Sequence, residues 1–189
     1  MLIILDRDGV INEYDGNYIC SVDDWQPIPG SIEAMARLYK AGHRIAIATN
    51  QSGIARGFYG TDILDGMHEK MTQLLEAMGG RIEFIAYCPH LPDDGCACRK
   101  PLTGLLEQIC DHLQLNTLKG AIMVGDSRKD LEAGVAEDCQ PVLVRTGNGK
   151  DTEHHLKTRP IPSAKVAIYD HLSAFTDAFL SGPGLEKSK

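Results

Sequence analysis

The sequence predicts an α/β fold in which a mostly parallel sheet is covered by helices on both faces. Two patterns along the chain point to this class. Short runs that are apolar throughout alternate with longer segments that have the period of amphipathic helices. Strands without polar positions are typical of sheets buried on both faces, and regular strand–helix alternation is typical of parallel connections.

The first part of the chain contains three predicted strands and two predicted helices. The helices begin at Ser31 and Thr61, which are residue types that favour N-cap positions. Gly42 and Gly79 follow the last periodic residue of each helix, where glycine favours termination. The connections before residue 80 are interpreted as short loops without room for an inserted cap domain. The strands are Leu2–Leu5, Arg44–Ala48 and Ile82–Tyr87, and the helices are Ser31–Ala41 and Thr61–Met78.

The second part continues the alternation. Segment 148–163, rich in Lys, His, Thr and Pro, is interpreted as a surface loop or irregular linker, and residues 181–189 as a disordered tail. The chain is therefore expected to form one domain over residues 1–180. The predicted helices are Thr103–Leu115 and Arg128–Ala136, and the predicted strands are Ala121–Gly125, Pro141–Arg145 and the short Val166–Ile168.

Composition excludes several classes of partner. The chain has 189 residues, 43% of them hydrophobic, which is an ordinary globular share. Its formal net charge of −7 argues against a surface for nucleic acid. An anionic substrate must therefore meet a local cluster of cations. Without a basic N-terminal stretch or a long apolar run, a cytoplasmic monomer without membrane or nucleic-acid partners is expected.

A cluster of three cysteines and a histidine predicts a structural zinc site. Cys88, His90, Cys96 and Cys98 lie within eleven positions, and a Cys₃His set closes a tetrahedron without leaving a place for substrate. A pair of reactive or disulfide-bonded cysteines is the alternative. Because Arg99 and Lys100 directly follow Cys98 in the sequence, bound zinc would hold a loop that carries two cations. The other cysteines are interpreted as buried or half-buried thiols, and His43, His68 and His112 as packing or surface residues.

Polar residues follow each of the first four predicted strands. Carboxyl ends of parallel strands share one edge of the sheet, where ligands bind in open α/β folds. A metal, a carboxylate and phosphate-binding cations are therefore expected to converge at that edge. The four segments are Asp6-Arg7-Asp8-Gly9, Thr49–Gly53, Arg99-Lys100-Pro101 and Gly125-Asp126-Ser127.

These residue types suit phosphoryl transfer. A carboxylate can attack phosphorus and form an acyl phosphate, and a second carboxyl two residues on can protonate the leaving oxygen. Asp6, the carbonyl of Asp8 and Asp126 offer the hard oxygen ligands that Mg²⁺ prefers. Thr49 and Lys100 can donate to the transferring oxygens. The spacing of a calcium-binding EF-hand is missing, so that reading of Asp-x-Asp is set aside.

Asp130 has two readings. Ser127-x-x-Asp130 matches a helix-capping box, in which the acidic side chain bonds back to the N-cap. A role in the metal site is the other reading. The sequence leaves both open.

In their order and across nearly the whole chain, the four segments resemble the four motifs of the haloacid-dehalogenase-like phosphohydrolases. The resemblance implies a Rossmann-like parallel sheet, with Asp6 as nucleophile and Asp8 as general acid/base. It also implies that Thr49 and Lys100 hold the phosphate and that Asp126 is the remaining acidic Mg²⁺ ligand.

The zinc-type loop and the second segment resemble one capless branch of this superfamily, the D-glycero-D-manno-heptose 1,7-bisphosphate 7-phosphatases. Cys-Pro-His at 88–90, Cys-Ala-Cys-Arg-Lys-Pro at 96–101 and Thr49–Gly57 carry this resemblance, which extends from residue 2 to about residue 146. It implies removal of the 7-phosphate through an aspartyl-phosphate, in the synthesis of activated heptose for lipopolysaccharide or other glycans. Histidinol-phosphate phosphatases share these motifs, so histidinol phosphate is the alternative substrate.

A sugar bisphosphate would need side chains for its second phosphate and its hydroxyls. Arg99 is available for the distal phosphate, because the planar guanidinium suits bidentate binding. Arg56 is expected to assist, with a surface ion pair as the alternative reading. The loop between residues 90 and 96 is short, which leaves the preferred anomer open. The hydroxyl groups are assigned to Asn50, Gln51 and Ser52.

Two further function classes remain as weaker alternatives. A polynucleotide 3′-phosphatase is disfavoured by the net charge of −7 and by the scarcity of aromatic residues beside basic ones. A module that binds a phospho-ligand without turning it over would not need both Asp6 and Asp8, whose mutual repulsion would be an unexplained cost.

Overall fold

The computed structural model describes residues 1–162 and 164–182. Over these residues six strands form one sheet in the order β3-β2-β1-β4-β5-β6, and every neighbouring pair is parallel. The strands are β1 (Leu2–Leu5), β2 (Arg44–Asn50), β3 (Phe84–Cys88), β4 (Ile122–Gly125), β5 (Gln140–Val144) and β6 (Ala167–Tyr169). The helices are α1 (Ser31–Lys40), α2 (Thr61–Ala77), α3 (Gly104–His112), α4 (Arg128–Ala136), α5 (Gly149–Thr158) and α6 (Leu172–Ser181).

The sheet has a buried cluster of side chains on each face. Successive strand residues point to opposite faces, and the strands are apolar along most of their length, with polar residues at the ends of β2 and β5, as a sheet covered on both sides requires. Ile3 and Leu5 of β1 pack with residues of α1, α2 and α6, whereas Ile4 packs with residues of α3 and α4. The predicted α/β class, with helices on both faces of a parallel sheet, is confirmed.

The order of the strands places the predicted motifs together. β1 lies at the centre, between β2 and β4, so the chain moves outward in one direction through β3 and then in the other through β6. A crevice opens beyond the carboxyl ends of the strands at such a reversal. The first, second and fourth predicted motifs follow β1, β2 and β4, and they therefore border this crevice.

Several local predictions were wrong. Gly30 and Gly60, not Ser31 and Thr61, are the N-cap residues of α1 and α2, and Ser31 instead donates a hydrogen bond to the carbonyl of Ile11. The connection between β1 and α1 is long, from residue 6 to residue 30, although it holds only turns and isolated bridges. Cys20 is exposed.

The C-terminal third has more helix than the sequence predicts. α5 occupies much of the segment interpreted as a loop or linker, and its Leu156 packs beside Leu143 of β5 and beside Ile161, which follows the helix. α6 continues to Ser181, and residues 183–189 of the predicted tail lie outside the described residues. Over the part of the chain that is described, the helices are too short or too polar for a membrane span.

Candidate active site

A cavity of about 440 Å³ lies at the carboxyl ends of the central strands. The long β1–α1 connection contributes Tyr14 and Tyr18 to its wall. Arg56 is exposed and lies outside the lining. The other residues that the sequence assigned to catalysis or substrate binding line the cavity, namely Asp6, Asp8, Thr49, Asn50, Gln51, Ser52, Arg99, Lys100 and Asp126.

Lys100 is buried at the floor of this cavity between two carboxylates. Its ammonium lies 2.9 Å from Asp6 and 2.6 Å from Asp130, and it donates to the carbonyl of Ala48 at 2.6 Å. An ammonium has three protons, and these three contacts use all of them. Burial alone would lower the pKa of Lys100, but the charges of Asp130 and Asp6 outweigh it and raise the pKa. Lys100 is therefore a fixed positive charge beside Asp6.

Three buried carboxylates surround this one ammonium. Oxygens of Asp6, Asp126 and Asp130 all lie within 4.8 Å of one another. Burial, reinforced by the charge of Asp130, raises the pKa of Asp6 from 3.8 to about 7, and burial likewise raises the pKa of Asp126 to about 8. The negative charge thus exceeds what Lys100 can balance. Hard oxygen donors with excess negative charge fit the predicted magnesium site.

Asp130 forms the helix-capping box, which is one of the two readings that the sequence left open. One of its oxygens accepts hydrogen bonds from the backbone N–H and hydroxyl of Ser127, which completes a capping box at the start of α4. Its other oxygen faces Lys100. Both oxygens are therefore engaged with the protein, and the residue positions Lys100.

Asp126 is enclosed by backbone that leaves no room for a Cβ atom. It directly follows β4, and one of its oxygens accepts hydrogen bonds from the backbone N–H of Asn148 at 2.7 Å and from the Asn148 side chain at 3.1 Å. Gly9 and Gly147 approach the same oxygen, and a Cβ at either position would come within 3.0 Å of it. Both glycines have positive φ, at 82° and 54°. Two loops thus close around the Asp126 carboxylate.

The carboxylate of Asp8 is surrounded by hydrogen-bond donors. Arg7 contacts both of its oxygens at 3.0–3.1 Å, and Asn12 and Gln51 donate to it at 2.9 and 2.8 Å. Burial acts to raise the pKa of Asp8, but Arg7 and the two amides outweigh it, so the pKa lies below its ordinary value. Asp6 and Asp8 are two residues apart, and their different surroundings shift their pKa values in opposite directions, upward for Asp6 and downward for Asp8.

Gln51 does not fit the substrate-hydroxyl role that the sequence suggested. Its amide nitrogen donates to Asp8 and Thr49, and its oxygen accepts from Arg7 and Tyr59. These bonds use every position that a primary amide offers. The side chain is 3% exposed, so Gln51 is part of the wall and organises its neighbours.

Asn50 and Ser52 also make contacts within the protein. The amide of Asn50 forms a reciprocal pair with the backbone N–H and carbonyl of Lys100, both at 3.1 Å, which fixes the segment that carries the lysine. The hydroxyl of Ser52 lies 3.2 Å from that of Tyr18. Asn50 therefore positions Lys100, and Ser52 supports the rim.

Of the two arginines that the sequence assigned to the substrate, Arg99 lines the cavity and Arg56 lies outside its lining. Arg99 donates to the carbonyl of His90 at 3.2 Å, which ties it to the cysteine-rich loop. Arg56 lies over the ring of Tyr18, 5.8 Å from its centroid, and Tyr18 packs edge-on against Phe58. Arg56 thus interacts with an aromatic ring rather than with a surface carboxylate.

The predicted zinc ligands converge. Cys88, His90, Cys96 and Cys98 offer ligand atoms within 4.8 Å of one another, and all six cysteines of the chain are free thiols. The sulfur of Cys88 lies 3.1 Å from that of Cys98 and 3.7 Å from that of Cys96. A zinc tetrahedron with Zn–S bonds of about 2.3 Å has S–S edges of about 3.8 Å. The 3.7 Å distance matches this edge and the 3.1 Å distance is shorter, whereas the number and type of the donors fit zinc. A disulfide is not formed.

The residues of the site that sequence reasoning missed include Arg7, Tyr59 and Asn148. Arg7 lies between the two aspartates of the first motif, and a charged residue directly after a buried strand is itself a signal of a buried ion pair. Asn148 lies in the segment interpreted as a linker. Tyr59 had no signal, because nothing in its local sequence separates it from a core tyrosine.

Known proteins resemble this chain over nearly its whole length. A family model described as HAD-hydrolase-like matches residues 97–174. The chain is 52% identical over 179 residues to the D-glycero-beta-D-manno-heptose-1,7-bisphosphate 7-phosphatase of Pseudomonas aeruginosa, covering 95% of this chain and 97% of that protein.

Solved structures of heptose bisphosphate phosphatases are also similar to this chain. The D,D-heptose 1,7-bisphosphate phosphatase of B. bronchiseptica, complexed with magnesium and phosphate, is similar with a TM-score of 0.87 and 44% identity, over 95% of this chain and 97% of that one. The D,D-heptose 1,7-bisphosphate phosphatase of Burkholderia thailandensis is similar with a TM-score of 0.71 and 39% identity, over 96% and 99%.

Proposed function

This chain belongs to the haloacid-dehalogenase-like hydrolases, in the group of heptose-1,7-bisphosphate 7-phosphatases, and from that membership we propose how its residues act. It is a phosphoric monoester hydrolase that removes the 7-phosphate of D-glycero-D-manno-heptose 1,7-bisphosphate and leaves heptose 1-phosphate. The observation that carries the assignment of residues is the buried Asp6 carboxylate beside Lys100, with Asp8 two residues away and Asp126 opposite.

The first step forms an aspartyl-phosphate. An oxygen of Asp6 attacks phosphorus, the bond from phosphorus to the C7 oxygen breaks, and a proton from Asp8 goes to that leaving oxygen. The ammonium of Lys100, 2.9 Å from Asp6, donates to the oxygens of the transferring group. The hydroxyl of Thr49 donates to the same group.

The second step hydrolyses that intermediate. Water attacks phosphorus, Asp8 takes a proton from it, and the bond between phosphorus and the Asp6 oxygen breaks to release phosphate. The contacts of Asp8 with Arg7, Asn12 and Gln51 favour its ionised form, which is the form that accepts this proton.

Two metals would support this arrangement. Mg²⁺ held by Asp6, Asp126 and the Asp8 carbonyl would neutralise the charge that separates the carboxylate nucleophile from the phosphate. The Cys₃His cluster would bind zinc as a structural metal, because its four ligands leave no open position. Cys98 is followed by Arg99 and Lys100, so folding of this loop around a metal fixes both cations.

We assign the distal phosphate to Arg99, with Arg56 assisting at the rim. Arg99 lines the cavity, and its bond to the carbonyl of His90 fixes its direction. We also propose the β anomer as the substrate, since the relatives at 46–52% identity carry that anomer in their names.

Steady-state kinetics with Mg²⁺ tests the proposal. The values of kcat/KM are compared for the α and β anomers of heptose 1,7-bisphosphate and for histidinol phosphate, which has no second phosphate. A preference for the β bisphosphate is expected. A preference for histidinol phosphate would overturn the assignment of the substrate, and a preference for the α anomer would overturn the assignment of the anomer.

Replacement of the two arginines tests the distal site. Arg99→Met is expected to lower kcat/KM for the bisphosphate by about 10- to 100-fold, the range of one charge-assisted hydrogen-bonded contact. It should leave histidinol phosphate little affected. Arg56→Met is the matched control at the rim and should have the smaller effect. Equal losses on both substrates after Arg99→Met would contradict the assignment.

A further inference from the structure

Gln51 connects two groups that perform different tasks in the proposed reaction. Its Nε2 donates to Asp8 and to Thr49, each at 2.8 Å. Its Oε1 accepts from Arg7 at 3.0 Å and from the hydroxyl of Tyr59 at 2.6 Å. A primary amide has two N–H donors and one oxygen with two lone pairs, so the four contacts saturate it.

The neighbours of this amide determine which way it faces. A guanidinium has donors only, so the atom that faces Arg7 must be the oxygen. With the oxygen facing Arg7, the nitrogen is the atom that faces Asp8 and Thr49. Arg7 is 1% exposed, and its other nitrogen lies 3.7 Å from the sulfur of Met67 and 3.4 Å from His68 on α2. The arginine cannot withdraw, so the amide cannot flip.

This orientation sets the direction of the Thr49 hydroxyl. A hydroxyl has one proton. Because the Thr49 oxygen accepts a hydrogen bond from Gln51, its proton is not used for Gln51 and is free to donate to another group. Thr49 lines the cavity and is 1% exposed, so this proton can be donated to a group bound in the cavity, which in the proposed function is the transferring phosphate.

Tyr59 supports the amide from the other side. It is 8% exposed, and its ring occupies the space beside Gly53, where a Cβ would collide with it. Its hydroxyl ends on the Gln51 oxygen at 2.6 Å. Neither Tyr59 nor Gln51 needs to touch the substrate for this contact to matter.

We propose that Gln51 is a positioning residue that orients Asp8 and Thr49 together for phosphoryl transfer, and that Tyr59 acts through Gln51. The proposal rests on the proposed function, because Asp8 and Thr49 take their roles from it. It differs from a space-filling role, in which only the shape of residue 51 would matter.

Two substitutions separate these possibilities. Gln51→Glu keeps the shape but places an oxygen opposite Asp8 and Thr49, so it repels the first and takes the proton of the second. Gln51→Met keeps the approximate volume and removes the donors without adding charge. We expect kcat to fall by about 10²- to 10³-fold for Gln51→Glu, as for a lost transition-state donor, and by about tenfold for Gln51→Met. KM should change less than kcat in both.

The order of activity decides the result. A kcat of Gln51→Glu that equals or exceeds the kcat of Gln51→Met would overturn the proposal, because a space-filling role favours the closer isostere. Gln108→Glu makes the same chemical change at an exposed position of α3 and should match the unmodified protein. Circular dichroism establishes that each variant is folded.

A readout without substrate keeps this test separate from the proposed function. Orthovanadate, an analogue of the transferring phosphoryl group, is titrated with Mg²⁺ by calorimetry. Its affinity should follow the same order, with Gln51→Glu the weakest. If the unmodified protein hydrolyses no heptose bisphosphate, the substrate has been assigned wrongly, whereas unchanged vanadate affinity in Gln51→Glu overturns the role of Gln51.

A double-mutant cycle tests Tyr59. Tyr59→Phe keeps the ring and removes only the hydroxyl, and we expect a severalfold lower kcat with little change in KM. Combined with Gln51→Met, it should cause no further loss, since the contact on which it acts is already gone. Losses that multiply in the double variant would show that Tyr59 acts by another route.

Discussion

Replacement of Gly9 by alanine perturbs the environment of Asp126 with a single methyl group. Gly9 has φ of 82°, and its added Cβ would come within 3.0 Å of an Asp126 oxygen and close to the backbone of Gly147. Gly120 provides the matched control, because it has φ of 83° and a Cβ there would meet nothing within 4 Å. The two substitutions share the backbone effect and differ in the crowding.

The size of each effect follows from these contacts. Alanine in left-handed backbone costs about 1–2 kcal/mol at either position. At Gly9 the carboxylate must also leave the N–H of Asn148, now at 2.7 Å, and a weakened hydrogen bond to a buried charge adds about 1–3 kcal/mol. A shift of about 1 Å in a catalytic group costs on the order of 100-fold in rate. Gly9→Ala should therefore lower both stability and kcat, and Gly120→Ala only stability.

Urea unfolding and steady-state kinetics measure the two quantities on the same preparations. The Mg²⁺ concentration that gives half-maximal rate is a third readout, which should rise for Gly9→Ala because Asp126 is displaced. Equal rates and equal Mg²⁺ dependence in the two variants would refute the reasoning, since the crowding would then have no consequence for the site.

Three other outcomes are expected. Asp6→Asn, which is nearly isosteric, should abolish turnover with an unchanged circular dichroism spectrum, and retention of most activity would remove Asp6 as nucleophile. Exhaustive removal of zinc should lower the melting temperature and kcat together, because the Cys₃His loop carries Arg99 and Lys100, and a full rate in zinc-free protein would contradict this. Burial raises the pKa of Asp6 to about 7 and the pKa of Asp126 to about 8, above the value of 3.8 for an ordinary aspartate. In metal-free protein these two carboxyls therefore contribute to stability below about pH 4. That contribution is lost as the pH rises through 7 to 8. Added Mg²⁺ should accordingly raise the melting temperature more at pH 8 than at pH 6, and equal increments would show that these carboxyls do not titrate in this window.

Most of the fold was predictable from the sequence because the strands have a distinctive apolar pattern. Runs such as Leu2–Leu5 are apolar at every position, and their burial on both faces of the sheet is the physical cause of that pattern. α5 was missed since its few apolar residues leave a weak pattern, with Gly149 and Thr152 its buried positions. The N-caps were misplaced by one residue because glycine serves at both.

The candidate site was predictable in its parts but not in its internal contacts. Asp6, Lys100 and Asp126 follow strands, so topology alone brings them together. Gln51 was read as a substrate ligand, because local sequence does not reveal that Arg7 and Tyr59 lie around it. Contacts between residues far apart in the chain depend on tertiary packing, which no local pattern encodes.

The saturated ammonium of Lys100 has a consequence for the release of product. A phosphate oxygen can gain a proton from Lys100 only by displacing Asp6, Asp130 or the carbonyl of Ala48, so binding exchanges one hydrogen bond for another. Such an exchange yields little net affinity for free inorganic phosphate. Lys100 itself therefore adds little to the retention of this second product.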